Sequence, residues 1–197
     1  MKAMFNYCYK LESLNFSNFN TAKVTTMEYM LQSCETLTEI IGLEKFDTSN
    51  VTSMEDMFYH CDVLPSLDVS SFDTSHVTKF LMMFQNCYSL TELDLSNFNT
   101  SNAIYINHMF AECNNLKTIK FPLTITKLGA EVCSHLPNSK GNENISGNEY
   151  VGTFTSIIIP NGVTTIGANA FSWNQNLSSI EITFILMFSI ISKLFRT

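Results

Sequence analysis

The sequence is poor in basic residues, with 11 lysines and arginines against 18 aspartates and glutamates and a formal net charge of −7. The basic residues form neither a run nor a basic helical face, which excludes bulk electrostatic binding to nucleic acid or to an anionic membrane. Neutral and cationic partners stay open. The repeated part of the chain also lacks an apolar run of the roughly 20 residues that a membrane helix needs, so we predict no membrane insertion by it.

Six cysteines are present, but their spacing lacks the pairing of a disulfide framework. Five of them recur instead at intervals of 26, 27, 26 and 26 residues, and columns of methionine and leucine keep the same step. A period in the twenties is typical of stacked units that bury their apolar faces only against neighbouring units. The sequence therefore predicts one elongated solenoid. The cysteine column is Cys8, Cys34, Cys61, Cys87 and Cys113, and one apolar strand column is Leu14, Ile40, Leu67, Leu93 and Ile119.

The third repeat shows what one unit is expected to form. Its residues Met54, Met57, Phe58 and Cys61 have the i, i+3, i+4, i+7 spacing of a short helix with an apolar inner face. Segment 64–69 has the form Leu-x-x-Leu-x-Leu, whose second half predicts a short strand, and segment 72–77 predicts a turn. The predicted fold class is α/β, a leucine-rich-repeat solenoid with one parallel sheet and short helices on the opposite side. The outer helix face is expected to carry Glu55, Asp56 and Tyr59.

The repeat changes length along the chain. Residues 1–121 form an array of period 26 to 27, and residues 122–182 form shorter repeats of period 23 with a loop insertion near 138–152. Residues 183–197 are an apolar tail outside the repeat pattern. The chain starts inside a repeat without a recognisable secretory signal, and we expect it to be a fragment or the product of a gene whose upstream part is missing.

Three segments resemble a known family. Segments 46–58 (FDTSNVTSMEDMF) and 72–78 (FDTSHVT) resemble the repeat of BspA-like leucine-rich-repeat surface proteins, in the form catalogued as a mycoplasma-lipoprotein-type repeat. Segment 159–171 (IPNGVTTIGANAF) resembles the shorter BspA-type repeat of the same group. The resemblance covers about residues 1–182. It implies a cell-surface or secreted protein, linked to adhesion and to binding proteins of a host or of neighbouring cells.

Two further columns invite a chemical role. The polar column Asn20, Asp47, Asp73 and Asn99 has no glycine-rich ligand loop, so we interpret it as turn capping rather than as a calcium ladder. The cysteine column is interpreted as buried packing, although stacking at about 4.8 Å leaves disulfide pairing open. No Ser-His-Asp or Cys-His set converges, so we predict no enzyme and no catalytic, cofactor-binding or metal-binding residue. The alternative is an enzyme or a metal-dependent switch built on the repeat scaffold.

The outward residues of the predicted strands form the candidate binding surface, because solenoids generally bind partners on their sheet face. Four carboxylates from consecutive repeats are expected there, namely Glu39, Asp68, Glu92 and Asp94. We predict that this face, with a possible contribution from the 138–152 loop, binds a protein or a glycan. A merely solvated acidic face is the competing interpretation.

Overall fold

The computed structural model describes residues 1–134 and 154–182 of the chain. These residues wind into a solenoid, whose first five coils are residues 1–26, 27–53, 54–79, 80–105 and 106–128. Each coil passes through a side of stacked turns and then through a sheet side. The strands are β1 (Ser13–Asn15), β2 (Glu39–Ile41), β3 (Glu92–Asp94), β4 (Thr118–Lys120), β5 (Lys127–Leu128), β6 (Ser156–Ile159), β7 (Thr165–Ile166) and β8 (Ser179–Ile182).

Strands pair in parallel and in register with their counterparts in the next coil. The pairs are β1 with β2, β3 with β4, β5 with β7, and β6 with β8. Leu14 pairs with Ile40 and Leu93 with Ile119, as the column of equivalent residues predicts. A second ladder on another side of the solenoid comprises the bridges from Thr26 to Ser53, Ser53 to Lys79 and Lys79 to Tyr105. The prediction of a parallel-strand solenoid is therefore confirmed.

The sheet is interrupted at the third coil, where residues 66–68 form no strand. The prediction that Leu67 lies on a strand paired with both neighbours is therefore wrong. Thr38 N–H donates to Glu12 O at 2.9 Å, and Lys117 N–H donates to Thr91 O at 2.9 Å. The equivalent residue of the third coil is Pro65, which has no N–H to donate. The ladder is lost where the proline removes its donor.

The predicted short helices are also wrong. Apart from one turn of 3-10 helix at Leu43–Lys45, the described residues contain no helix. In segment 27–34 of the second coil, alternate N–H groups donate to the next coil: Tyr29 to Glu55 O at 2.9 Å and Leu31 to Met57 O at 3.0 Å. The residues between them close local turns, as when Gln32 N–H donates to Tyr29 O at 3.3 Å. The segment is a stack of turns bonded from coil to coil.

Left-handed backbone conformations shape these turns. Two residues per coil, four positions apart, have positive φ; in the second coil they are Tyr29 (58°) and Ser33 (57°), and in the third Asp56 (53°) and His60 (57°). Such conformations are strained for residues with a side chain. The hydrogen bonds between coils offset this strain, because they satisfy backbone groups that a buried turn would otherwise leave unpaired.

The apolar columns meet inside the solenoid as predicted. Met54, Met57, Phe58 and Cys61 are all fully buried, although they lie on turns rather than on a helix. The Phe58, Phe84 and Phe110 rings stack nearly parallel, with centroids 5.7 and 5.8 Å apart. One outward prediction is wrong, because Asp56 is only 6% exposed.

Two sequence predictions, the 138–152 loop and the 183–197 tail, lie outside the described residues. Within residues 1–134 and 154–182, no helix has the length and hydropathy of a membrane span.

The phenylalanine stack provides a test of the core. We expect Phe84→Ala to lower the free energy of unfolding by about 3–5 kcal/mol, because it removes the ring that contacts both stacked neighbours. Tyr105→Ala is the control, since that side chain is 49% exposed and should cost within about 0.5 kcal/mol. Chemical denaturation measures both. A cost for Phe84→Ala as small as the control's would contradict the packing described.

Candidate functional site

The four predicted carboxylates all lie exposed on the sheet side of the solenoid. The strand register places Glu39 beside Ser13 in the first pair, and Glu92 beside Thr118 in the second. Asp68 of the unpaired third coil and Asp94 of the fourth occupy the next outward position, two residues further along the chain. Within the described residues, neither Glu39 nor Glu92 forms a salt bridge. Their carboxylates are available to a partner.

Asp94 differs from the other three carboxylates because it has a cationic partner. Lys120 Nζ lies 2.6 Å from Asp94 Oδ2, and both side chains are exposed. The Lys120 hydrogen bond, followed by those from Ser96, holds the pKa of Asp94 well below its usual range. The row of exposed carboxylates on the sheet side therefore ends in an ion pair between Asp94 and Lys120 of the fifth coil.

Asp68 and Asp94 also close the turn that follows their strand position. Asp68 Oδ1 accepts the Ser70 N–H at 2.9 Å, and Asp94 Oδ1 accepts the Ser96 N–H at 3.0 Å. The Ser70 hydrogen bonds lower the pKa of Asp68. In the first coil Asn15 closes the equivalent turn, because its Oδ1 accepts the Ser17 N–H at 2.9 Å. The turn needs an amide or carboxylate oxygen but not a negative charge.

The second coil closes this turn differently, and Gly42 is the reason. Its φ is 83°, and an added Cβ would lie 2.6 Å from Ser17 N, so only glycine fits. The Leu43–Lys45 turn of 3-10 helix follows it and accommodates the extra residue of this repeat.

A shallow groove of about 330 Å³ lies on the sheet face at the interruption of the sheet. Leu67 and Leu93 line it together with polar and charged side chains of three successive coils. The structure thus brings three of the four predicted carboxylates into one depression, while Glu39 lies outside its lining. The polar lining is Ser66, Asp68, Glu92, Asp94, Thr118 and Lys120.

The polar column predicted to cap turns does so. Asp47 Oδ1 accepts the Ser49 N–H at 3.1 Å, and Asp73 Oδ1 accepts the Ser75 N–H at 2.9 Å. Asn20 and Asn99 accept from the residues two positions later in the same way. In the part of the chain that the structure describes, no three His, Cys, Asp or Glu side chains are grouped as metal ligands.

The cysteine column is packed in the core with free thiols. Cys34, Cys61, Cys87 and Cys113 are buried, and Cys8 is half-buried. Each buried thiol contacts a backbone carbonyl of the preceding coil, as when Cys87 Sγ lies 3.1 Å from Phe58 O. Burial raises the pKa of the Cys34 thiol to about 12, with a smaller contribution from Cys8. These thiols lack the thiolate character that reactivity requires.

In the part of the chain that the structure describes, the contacts of His60 and His76 provide no general base paired with an oriented nucleophile. His60 Nδ1 lies 3.0 Å from Asp62 Oδ1, and its Nε2 meets the Asn86 side-chain amide. Ser75 Oγ lies 3.2 Å from His76 Nδ1 on an exposed turn, but Asp73 accepts the Ser75 N–H rather than orienting the imidazole. These contacts do not form a catalytic triad within the described residues.

Sequence reasoning missed a charged cluster on the side of the stacked turns. Lys2 Nζ lies 2.7 Å from Glu28 Oε2, while Lys79 Nζ lies 3.9 Å from Glu28 Oε1 and 3.7 Å from Glu55 Oε2. The Lys2 hydrogen bond lowers the pKa of Glu28. Asp56 lies beside this cluster, and burial, followed by the charges of Glu55 and Glu28, raises its pKa to about 7. Asp56 has a left-handed backbone conformation, and its side chain is buried. The helical interpretation placed this side chain on the outer face and therefore did not predict its burial.

Two family models match the sequence. One, described as "Mycoplasma protein of unknown function, DUF285", matches residues 1–121. The other, described as "BspA type Leucine rich repeat region (6 copies)", matches residues 143–196, a range that includes most of the segment predicted to lie outside the repeats. No curated protein matches the chain.

The solved structures that match the chain include three leucine-rich-repeat proteins. A leucine-rich repeat protein from Bacteroides ovatus is 18% identical with a TM-score of 0.62, over 92% of this chain and 40% of its own. The T. pallidum leucine-rich repeat protein is 15% identical with a TM-score of 0.45, over 96% of this chain and 69% of its own. A leucine rich cell surface protein from Faecalibacterium prausnitzii is 15% identical with a TM-score of 0.32, over 92% and 75%. The chain spans about 40% of the length of the Bacteroides protein, and that likeness shows the fold.

The burial of the thiols predicts their chemistry. In the native protein we expect Cys61 and Cys87 to react with a thiol reagent only as fast as the fold opens, because both are shielded and their pKa values are raised by burial. Half-buried Cys8 is the internal control and should react first. Mass spectrometry of the labelled peptides measures all three rates. Equal rates for Cys8 and Cys87 would show that the cysteine column is not core.

The buried Asp56 predicts a pH dependence of stability. Because its folded pKa is raised to about 7 from 3.8, its protonated form stabilises the folded state below about pH 4, and this contribution is lost as the pH rises through 7. We expect a loss on the order of 2 kcal/mol after allowance for solvent screening. Asp56→Asn should remove this component, while Asp47→Asn, at an exposed turn, should not. Denaturation curves from pH 4 to 9 measure it, and identical pH profiles for Asp56→Asn and the parent would refute it.

Proposed function

Since this chain belongs to the mycoplasma family of unknown function, DUF285, whose model covers residues 1–121, we propose that it is a non-enzymatic interaction module. It is a leucine-rich-repeat solenoid, and such scaffolds offer an extended surface on their sheet face. The proposed partner is a protein or a glycan bound on that face, and the proposed role is adhesion.

The observation that carries this proposal is the contrast between the two sides of the solenoid. On the turn sides, polar side chains are used inside the fold; Thr48 Oγ1 donates to Asp73 O at 2.9 Å, and Asn102 Nδ2 donates to Ser75 O at 2.7 Å. On the sheet face, Glu39 and Glu92 are exposed and make no salt bridge among the described residues. The sheet face also holds the groove. Free polar groups beside a depression suit recognition of another molecule.

The alternative of an enzyme or a metal-dependent switch has less support. Such a function needs a nucleophile with an oriented base, or a set of metal ligands. In residues 1–134 and 154–182 the ring nitrogens of His60 are both engaged, and no metal-ligand group occurs. The interaction module explains the exposed carboxylates without requiring either.

We propose a cell-surface or secreted location for the protein of which this repeat region is part. The support is the match to the BspA-type repeat at residues 143–196, together with the resemblance of that repeat to surface proteins. Fractionation of the source organism with antibodies against this chain tests the location. Recovery only inside the cell would contradict it.

A photocrosslinking scan would find the partner and locate its contact. A photoreactive residue is placed at the exposed Ser13, Ser66 or Thr118 on the sheet face, or at the half-buried Ser49 or the exposed Ser101 on the opposite turns. Crosslinks to one defined protein or glycoconjugate from the sheet-face positions only are the expected result. Crosslinks from the turn positions only would refute binding on the sheet face.

The carboxylates predict how that partner associates. We expect the combined changes Asp68→Asn, Glu92→Gln and Asp94→Asn to slow its association and to flatten the salt dependence of the rate, because the Debye length is about 10 Å at 0.1 M salt. Asparagine keeps the oxygen that caps the turn, as Asn15 does, so the fold should be unaffected. Surface plasmon resonance at several salt concentrations measures the rate. An unchanged rate and an unchanged salt slope would remove these carboxylates from the binding account.

A further inference from the structure

One position of the repeat determines whether a coil can donate a strand hydrogen bond to the coil before it. Residues Glu12, Thr38, Pro65, Thr91 and Lys117 occupy it in the first five coils. Where the residue carries an N–H, that group can donate to the preceding coil, as in Thr38 N–H to Glu12 O and Lys117 N–H to Thr91 O, both 2.9 Å. Proline cannot donate and is found in sheets only where a ladder ends or is interrupted. The third coil therefore lacks a backbone donor that the equivalent residues of the other four coils have.

The interruption extends along the third coil. Phe16 N–H donates to Ile41 O at 2.7 Å, and Leu95 N–H donates to Lys120 O at 2.9 Å. The equivalent N–H of Val69 makes no such bond to another described residue. The third coil therefore lacks the ladder at both ends of its would-be strand, and the 330 Å³ groove opens between it and the fourth coil.

The groove has an apolar floor and a charged rim. Leu67 and Leu93 line it, and both belong to the inward column of the core. Around them, Asp94 is already neutralised by Lys120 at 2.6 Å. Neither Asp68 nor Glu92 forms a salt bridge among the described residues, although Lys120 interacts electrostatically with Glu92 at longer range. The groove therefore combines aliphatic surface with three carboxylates and a single lysine.

This combination matches one side chain better than others. Asp68 and Glu92 lie on neighbouring coils at successive outward positions, so their Cα atoms are roughly 8 Å apart and their side chains can converge on one group. An arginine guanidinium offers donors in a planar fork to carboxylates and lays its weakly hydrated face on apolar surface. A lysine ammonium is a strongly hydrated point charge that gains less from the leucine floor. Neutral sugars bring no positive charge to the rim.

We propose that the groove at the third and fourth coils binds an extended segment of a protein partner, and that an arginine of this segment binds between Asp68 and Glu92. This rests on the proposed function of the sheet face and narrows it to a peptide ligand at the third and fourth coils. The bond missing on this side of the third coil is that of the Val69 N–H, whereas the N–H that Pro65 lacks would face the second coil.

The test uses the chain with a synthetic probe, the blocked pentapeptide Gly-Val-Arg-Val-Gly, and a second peptide with citrulline in place of arginine. Citrulline keeps the shape and removes the charge. Binding is followed by the backbone amide NMR shifts of Leu67 and Leu93 during titration. We expect a saturable shift with the arginine peptide and binding at least about tenfold weaker with citrulline, the loss typical of a charged hydrogen-bonded pair.

Three variants locate the effect. Asp68→Asn keeps the oxygen that caps the turn and removes the charge, so it should weaken the arginine peptide at least about tenfold without closing the groove. Glu92→Gln should weaken binding without closing the groove. Glu39→Gln is the matched control on the same face, outside the groove lining, and should leave binding unchanged.

Specific outcomes would overturn the proposal. These are equal binding of the two peptides, no saturable shift with either, or arginine-peptide binding that Asp68→Asn and Glu92→Gln both leave intact. If Asp68→Asn does not fold, the comparison of Glu92→Gln with Glu39→Gln decides alone, and equal affinities of these two overturn the proposal. NMR shifts confined to β1 and β2 would contradict binding in the groove but not the proposed function of the sheet face. Shifts confined to the turn sides would contradict both. Preferential shifts of Leu67 and Leu93 by a neutral oligosaccharide would favour a glycan and also overturn it.

Discussion

Backbone hydrogen bonds between successive coils are the constraint on which the rest of this structure depends. Each coil is too short to bury its own apolar residues, and it becomes stable only when the next coil satisfies its N–H and C=O groups. Bonds such as Tyr29 N–H to Glu55 O fix the register at one repeat per coil. Because the register is fixed, equivalent residues stack, and the phenylalanine, cysteine and capping columns follow from it.

The sequence predicted much of this organisation but not its local conformation. The spacing of Met54, Met57, Phe58 and Cys61 correctly predicted which side chains are buried. It could not separate a helix from stacked turns, because both bring the same positions to one side and the left-handed residues Asp56 and His60 carry no glycine signal. The burial of Asp56 was missed for the same reason. The interruption of the sheet could have been predicted, since Pro65 stands in the strand motif and a proline there argues against a paired strand.

The candidate site was also predicted only in part. Periodicity placed Glu39, Asp68, Glu92 and Asp94 on one face, and the structure has all four exposed there. Periodicity could not show that Lys120 forms an ion pair with Asp94, or that Glu39 lies outside the groove. Both facts depend on how far side chains extend from one coil to the next. The regular ladder gives the molecule its stability, and the one described coil with a proline at the donor position departs from it where the groove lies. Binding surfaces of repeat proteins are expected at such variable outward positions on a constant scaffold.

Residue-resolved amide hydrogen exchange tests this account most directly. Val69 and Leu95 are equivalent residues, each 1% exposed, yet only the Leu95 N–H has an acceptor in the next coil. The interruption of the ladder predicts that the Val69 amide exchanges at least about tenfold faster than the Leu95 amide, while Phe58 and Phe84 in the turn stacks are equally protected. Equal protection of Val69 and Leu95 would mean that the ladder continues from the third coil to the fourth and that no gap lies between them.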